Sequence, residues 1–567
     1  MNVDPIVTAI VEGALTYASH EMGIAVRNAA YSPNIKERLD HSCALFDARG
    51  RLIAQAEHIP VHLGSLPWGV ERTLAFIQRE FGGVAQGDMW MVNDPYVCGT
   101  HINDVTLVRP IYFEGALAGY AANKAHHADV GGSVPGSISI DAADLFAEGL
   151  VITPMHLLRG DALLDEAVAL LCANSREPAA RAGDLRAQVA GNIVGERRLL
   201  ALFERYGRAT LDATIDHLLD DAERRMRTAL RAFGDGVFQV TSALEDPHGD
   251  PSLTIALRLE LADGTATLDY TGTHAQVSYP LNAVFGVTLS GVYYALRAVV
   301  GPTIPANAGT FRPIIVSAPE GTLVNPTRPA PVGGGNVETS TRNAELVLRA
   351  LACAAPDRVP AESGGTMSNV MLGGVRSNGH TWAFYETIGC GMGARPGLDG
   401  LDGIQCHMTN TLNTPIEAIE RQYPLRVTRY EFAAGTGGAG RYRGGDGLLR
   451  TLESTEGQTR ATLLADRHHC APAGALGGEP GSCGAHRLIR ADGSAEPLGG
   501  KVSVLLAAGE AVEVQTPGGG GYGEAAGFGA DLAGGGAQSC TALITDVATA
   551  CSCLAVYACV HFKALTR

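Results

Sequence analysis

Three polar stretches concentrate the residues best able to do chemistry: Lys36-Glu37-Arg38-Leu39-Asp40-His41-Ser42, the run from Asn93 to Asp104, and Ala125-His126-His127-Ala128-Asp129-Val130-Gly131-Gly132. Each joins a His or Asp to loop-forming residues and abuts an apolar run, the setting in which short loops on rigid strands present catalytic groups. His101 and Asp104 stand three apart, and His126 follows 25 residues after His101. Two imidazoles with one or two carboxylates form a mixed nitrogen and oxygen set suited to Zn²⁺, Mn²⁺ or Fe²⁺, with a position left for water. Asp40 could supply the remaining oxygen. On spacing alone a plainer arrangement is favoured, one buried satisfied imidazole beside an exposed one, because no dedicated ligand motif is matched. Gly333-Gly334-Gly335-Asn336 could cradle an anion on backbone N–H groups, and a tight turn after Pro329-Ala330-Pro331 is the simpler alternative.

Other chemistries lack their residues. Gly499-Gly500-Lys501 is followed by Val502 rather than the Ser or Thr that a phosphate loop needs for Mg²⁺. No Gly-x-Ser-x-Gly elbow occurs, so a serine hydrolase has no nucleophile candidate. No His-Glu-x-x-His pair is present.

The elements that must position these residues alternate in character. Residues 5–30 read as a helix, with Ile6, Ile10, Ala14, Ala18, Met22 and Val26 at helical spacing behind Asp4-Pro5. A hairpin is expected from Cys43 to Gln55 around Asp47-Ala48-Arg49-Gly50, and strands at Met89–Val92, Val105–Pro110 and Leu117–Ala121. Charged, helical periodicity runs through 163–233. Alternating strands follow at Val237–Leu244, Leu253–Leu261 and Thr265–Tyr270, then an apolar helix from Ala283 to Val299. The expected fold is mixed α and β and multidomain. It comprises a strand-rich N-terminal section carrying the metal site (1–162), a helical middle (163–234), an α+β section (235–345), a glycine-rich section containing β structure (346–523), and an atypical tail (524–567) expected to be poorly ordered.

The chain has 567 residues, 46% of them hydrophobic and 18% charged, enough to bury several cores. Its 71 Gly and 28 Pro predict many turns and short elements. Acidic residues outnumber basic ones 59 to 43, a net charge of −16 with no basic block, which argues against nucleic acid as a partner. The twelve Cys follow no disulfide spacing. Met1-Asn2-Val3-Asp4-Pro5 lacks the features of a signal peptide. Val547 to Val560, the most apolar uncharged stretch near either end, is shorter than the roughly 20 residues of a spanning helix. A cytoplasmic protein without membrane association is expected.

Several stretches carry a resemblance to a known family. They include Ser32-Pro33-Asn34-Ile35-Lys36-Glu37, Ile59-Pro60-Val61-His62-Leu63-Gly64-Ser65 and the three polar loops. Further along come Pro305 to Pro313, Thr409-Asn410-Thr411-Leu412-Asn413-Thr414-Pro415-Ile416-Glu417, Gly437 to Gly445, and Thr516-Pro517-Gly518-Gly519-Gly520-Gly521-Tyr522-Gly523. In this order they resemble the hydantoinase B/oxoprolinase family: B subunits of ATP-dependent hydantoinases, the matching half of 5-oxoprolinases, and the large subunits of acetone-type carboxylases. The resemblance implies a partner A subunit that handles ATP and phosphorylates the substrate carbonyl, while this chain completes the reaction at a divalent metal (Zn, or Mn or Fe). It places the metal ligands on Asp40, His101, Asp104 and His126. A lactam or hydantoin amide is a poor electrophile, and phosphorylating its oxygen converts it into an activated imidate open to water whose pKa a metal lowers. His127 or Asp129 could move the proton, or merely orient His126. Arg312 could bind a substrate carboxylate or phosphate, with a structural ion pair as the alternative. Asn336 could touch ligand or brace the glycine turn. The expected activity is hydrolysis of 5-oxoproline, a hydantoin or a similar lactam. The alternatives are a carboxylase subunit or a scaffold for the A subunit.

Overall fold

The computed structural model describes residues 4–56, 58–247 and 253–525. The expectation for the tail falls almost wholly on 526–567, outside the described residues. The chain is mixed α and β, with four sheets among the described residues and helices layered against them.

The first helix, Pro5–Ala29, starts where the sequence indicates: the Asp4 side chain accepts from Ile6 N and Pro5 occupies the first turn. Its buried stripe is Val11, Leu15, Ala18, Met22 and Val26, while Ile6 and Ile10 are exposed. The strict i+4 series 6-10-14-18-22-26 gains about 40° per step and so winds about 200° around the helix, whereas mixed steps of three and four stay on one face.

The first sheet holds β1 (His41–Asp47), β2 (Leu52–Ala56), β3 (Met89–Val92), β4 (Asp104–Phe113), β5 (Ala116–His126), β6 (Met155–Arg159) and β7 (Ala162–Leu163). Its order is β2-β1-β5-β4-β3-β6-β7, with each neighbouring pair antiparallel. Period-2 alternation sends Cys43 and Leu45 to the core under the first helix, and Ala44 and Phe46 to the larger core on the other face. Both faces are covered, so β1 is buried throughout.

The helical middle forms a layer on this sheet. From the helix Pro178–Tyr206, Gln188 Nε2 donates to Val105 O at 2.8 Å and Asn123 Oδ1 at 2.9 Å, and Asn192 Nδ2 donates to Leu107 O at 3.2 Å. Gly195 lets this helix close on the first one: a Cβ there would stand 2.5 Å from Met22 Sδ.

A second sheet follows: Gly236–Leu244, Leu253–Ala262, Thr265–Asp269 and Ile314–Ser317, its last pair parallel. The helix Ser340–Ala354 packs on this sheet, and Phe285–Val299 packs on that helix and on His62–Phe81. The remainder builds two sheets whose strands interleave along the chain around a separate apolar core. Its glycines serve backbone packing: a Cβ on Gly444 would lie 1.9 Å from Gly519 O. Every described cysteine is a free thiol. No described helix is long and apolar enough to cross a membrane.

Candidate metal centre

Register builds the site. Asp104 opens β4 and pairs with His126, which closes β5; His41 opens β1 and pairs with Ala125. Because these three strands are adjacent and antiparallel, Asp40, Asp104 and His126 emerge along one sheet edge. His101 joins them from a turn in which Asp104 N donates to His101 O at 3.1 Å. The loop before that turn is held by Asn93, whose Nδ2 donates to Ile102 O at 2.7 Å, and by Lys124, whose Nζ donates to Cys98 O at 2.7 Å and Thr100 Oγ1 at 3.0 Å.

Three donor atoms converge. His101 Nε2 lies 3.1 Å from His126 Nδ1, and Asp104 Oδ1 lies 3.3 Å from each. Ligands about 2.1 Å from a common ion, in an octahedral or tetrahedral array, sit roughly 3.0–3.4 Å apart. The trio therefore has the spacing of ligands to one divalent cation. Among the described residues this is the group of three such side chains with donors within 4.8 Å of one another. Asp40 stands outside that trio but lines the same cavity, as does His62, whose Nε2 lies 3.3 Å from Asp104 Oδ2 and whose Nδ1 lies 2.9 Å from Ser42 Oγ. The cavity has a volume of about 20 Å³, the room of an ion or a single water. Its far wall comes from Asn336, Met367, Tyr385, Thr387 and Met408, and the Tyr385 ring stacks on His126 with centroids 4.6 Å apart.

Electrostatics favour ligation. Burial drives the Asp104 carboxyl up, but His101, followed by the contacts of His126 and His62, outweighs it and holds Asp104 well below the usual carboxylate range. Burial lowers His126 and His62, which favours neutral imidazoles with free lone pairs. Asp40 is raised by burial, with His126 and Arg38 opposing. Two buried cations flank the cluster. Lys124 is pulled down by burial. Arg38 donates to Asn34 Oδ1, Tyr385 O (3.1 Å), Thr387 Oγ1 (2.9 Å), Thr411 Oγ1 (3.2 Å) and Leu412 O (3.3 Å), tying β1's approach to the C-terminal sheets.

The remaining sequence candidates fall elsewhere, with Asn336 the exception. His127 Nε2 lies 2.9 Å from Gln188 Oε1, engaged with the helical layer and not lining the cavity. Asp129 accepts from Gly136 N and Arg176 N and pairs with Arg176 at 2.8 Å, stapling its own loop. Arg312 makes a surface ion pair with Asp220 (2.7 Å) and Glu223 (3.1 Å). All three are engaged with other protein groups and none lines the cavity. Asn336 does line the cavity, and its buried Oδ1 has no partner among the described residues. His62, Arg38 and Lys124 escaped the sequence reading. His62 lies in one of the family-like stretches, and Arg38 lies two residues from Asp40.

The glycine cradle is filled from within: Val332 N and Gly333 N donate to Glu148 Oε1 at 2.8 and 2.6 Å. Burial pushes this carboxyl up to about 8, against 4.5 for an unperturbed Glu. Between those values the folded chain holds a proton that the unfolded chain releases, so this group's contribution to stability falls as pH rises through that window. Glu148→Gln is expected to flatten the decline in unfolding free energy between pH 5 and 8; an unchanged slope would contradict it.

Residues 4–525 match the model of the hydantoinase B/oxoprolinase family. The chain belongs to that family. The uncharacterized protein MJ0963 of Methanocaldococcus jannaschii is 45% identical over 521 residues, covering 92% of this chain and 91% of that protein. 5-Oxoprolinase 1 of Arabidopsis thaliana is 35% identical over 89% of this chain, which spans only 40% of the plant protein. Among solved structures, the ATP-dependent caprolactamase from Pseudomonas jessenii superposes with a TM-score of 0.86 at 33% identity, covering 92% of both chains. This family member thus shares its whole described length with an enzyme named for a lactam, and two-fifths of the length of one named for 5-oxoproline.

Proposed function

We propose that this chain is the B-type subunit of an ATP-dependent cyclic amidohydrolase. It would open the ring amide of 5-oxoproline, a hydantoin or a similar lactam after a partner A subunit has phosphorylated the carbonyl. The convergence of the buried His101 Nε2, Asp104 Oδ1 and His126 Nδ1 beside this small cavity carries this reading. A divalent ion held there, with Asp40 as a fourth donor, would supply Lewis acidity and a lowered pKa for water. His62 fixes the second oxygen of Asp104, and Tyr385 fixes the ring plane of His126. Asn336 Oδ1 is placed to accept a hydrogen bond from bound substrate. Met367 and Met408 exclude bulk water from the wall opposite the donors. The reading gives ATP to a separate A-type protein in the cytoplasm. In support, the chain carries no phosphate loop, and the plant 5-oxoprolinase extends well beyond the shared region.

The test uses the purified chain and its co-expressed A-type partner. The chain alone is expected to release no phosphate from ATP. Together they should release about one phosphate per ring opened with some member of a panel of five- to seven-membered lactams and hydantoins. Phosphate release that depends on bicarbonate and a ketone, without ring opening, would replace this reading with the carboxylase one.

A further inference from the structure

Cys390 and Ile404 form an antiparallel backbone bridge: Cys390 N donates to Ile404 O at 2.8 Å, and Ile404 N to Cys390 O at 2.9 Å. Cys406 follows two residues later, its Sγ 3.7 Å from Ile404 O, and the two thiols hydrogen-bond to each other. The two sulfurs differ. Cys390 is buried and backed by Gly364, where a Cβ would stand 2.4 Å from the Cys390 Cβ. Cys406 is half-buried. The bond from Cys390, with His407 and Ser363, outweighs burial and holds the Cys406 thiol below its ordinary range. Burial lowers the neighbouring His407, but Glu345, 3.2 Å from its Nε2, raises it and so keeps positive charge beside Cys406. Among the described cysteines whose thiols are shifted, Cys406 alone is lowered; Cys43, Cys98, Cys172, Cys390 and Cys483 are raised. A lowered, accessible thiol touching a buried one is the arrangement of an attacking and a resolving sulfur.

Both arms of the pair run into the far wall of the cavity. Thr387 lies three residues before Cys390, and Met408 and Thr409 follow Cys406 by two and three. Met408 O accepts from Val61 N at 3.2 Å, at the start of the helix that carries His62. We infer that Cys390 and Cys406 are a modification site, which a peroxide converts to a disulfide that shifts this wall. In the first step the Cys406 thiolate attacks one peroxide oxygen, the O–O bond breaks, and a sulfenic acid forms as water or an alcohol leaves. The Cys390 sulfur then attacks Cys406 Sγ, the S–O bond breaks, and the hydroxyl departs with the Cys390 proton as water. Cys390 is held by its bridge and by Gly364, so the chain from Cys406 to Thr409 must follow the bond.

Peptide mapping of the full-length chain under non-reducing conditions tests this. Hydrogen peroxide is expected to produce a Cys390–Cys406 cross-link that dithiothreitol releases. Cys390→Ser should instead leave Cys406 as a sulfenic acid that dimedone traps, and Cys406→Ser should leave Cys390 unmodified. Deuterium uptake by the amides of residues 61–66 should change on oxidation of wild type and of neither variant. Ring opening by the oxidised wild-type pair should fall at least about tenfold and recover on reduction. That activity readout rests on the amidohydrolase reading: a reduced pair that opens no ring counts against that reading, while mapping and exchange still decide this one. Oxidation confined to other cysteines, a cross-link that leaves exchange at residues 61–66 unchanged, or a cross-linked pair as active as the reduced one would each overturn the inference.

Discussion

Alanine at His101 or His126 is expected to remove the divalent metal and lower ring hydrolysis by the reconstituted pair at least about a thousandfold, while expression, melting and A-subunit binding persist. The size follows from geometry: each imidazole supplies one of three donors within 3.3 Å, and no other described side chain stands ready to replace it. The folded state should tolerate the change. After either change Asp104 keeps the other imidazole and His62 as partners. Elemental analysis of wild type beside the variants decides the matter. A fully active wild-type complex lacking stoichiometric Zn, Mn or Fe would sink the proposal, as would a variant that keeps its ion.

Arg38→Met should be the most damaging single change to the fold among the residues around the cavity, costing about 3–5 kcal/mol. The guanidinium is fully buried and donates to Asn34, Tyr385, Thr387, Thr411 and Leu412; a thioether replaces none of these bonds, though the Thr387 and Thr411 hydroxyls keep other partners, each other among them. Its charge also lowers Asp40, so that carboxyl should rise further and the activity that survives should shift to higher pH. Arg38→Lys keeps the charge but not the fork, and should fall between the two. Chemical unfolding checks the first effect and a pH–rate profile the second; a Met variant unfolding like wild type would contradict the account.

Local signals carried much of the fold. Asp4-Pro5 marks the start of the first helix, Met89–Val92 is a strand to the residue, and the hairpin turn lies between Asp47 and Leu52 as read. His101, Asp104 and His126 were legible because their donor types and loop setting suggest a shared ligand set. Asp40 was legible only in part, since spacing cannot show that β1 lies beside β5. The far wall was not legible: Tyr385, Thr387 and Met408 lie more than 250 residues along the chain, and only packing brings them to His126. Asp220, Arg176 and Gln188, which engage Arg312, Asp129 and His127, lie 47 to 92 residues away in the chain, so local sequence could not show them. Ile6 and Ile10 were misplaced by counting fours on a helix whose turn is shorter than four residues.

The two halves of the cavity leave the ribosome at different times. All three converging donors belong to one N-terminal sheet edge, whereas Thr387, Met408 and Thr409 emerge far later. The gap from His126 to Thr409 is roughly 280 residues, about 14–56 s at ~5–20 residues per second. During that interval the nascent donors face solvent with no roof above them. On the proposed metal reading, metal supply during translation would govern loading, and the finished chain, its three donors buried, should exchange the ion slowly.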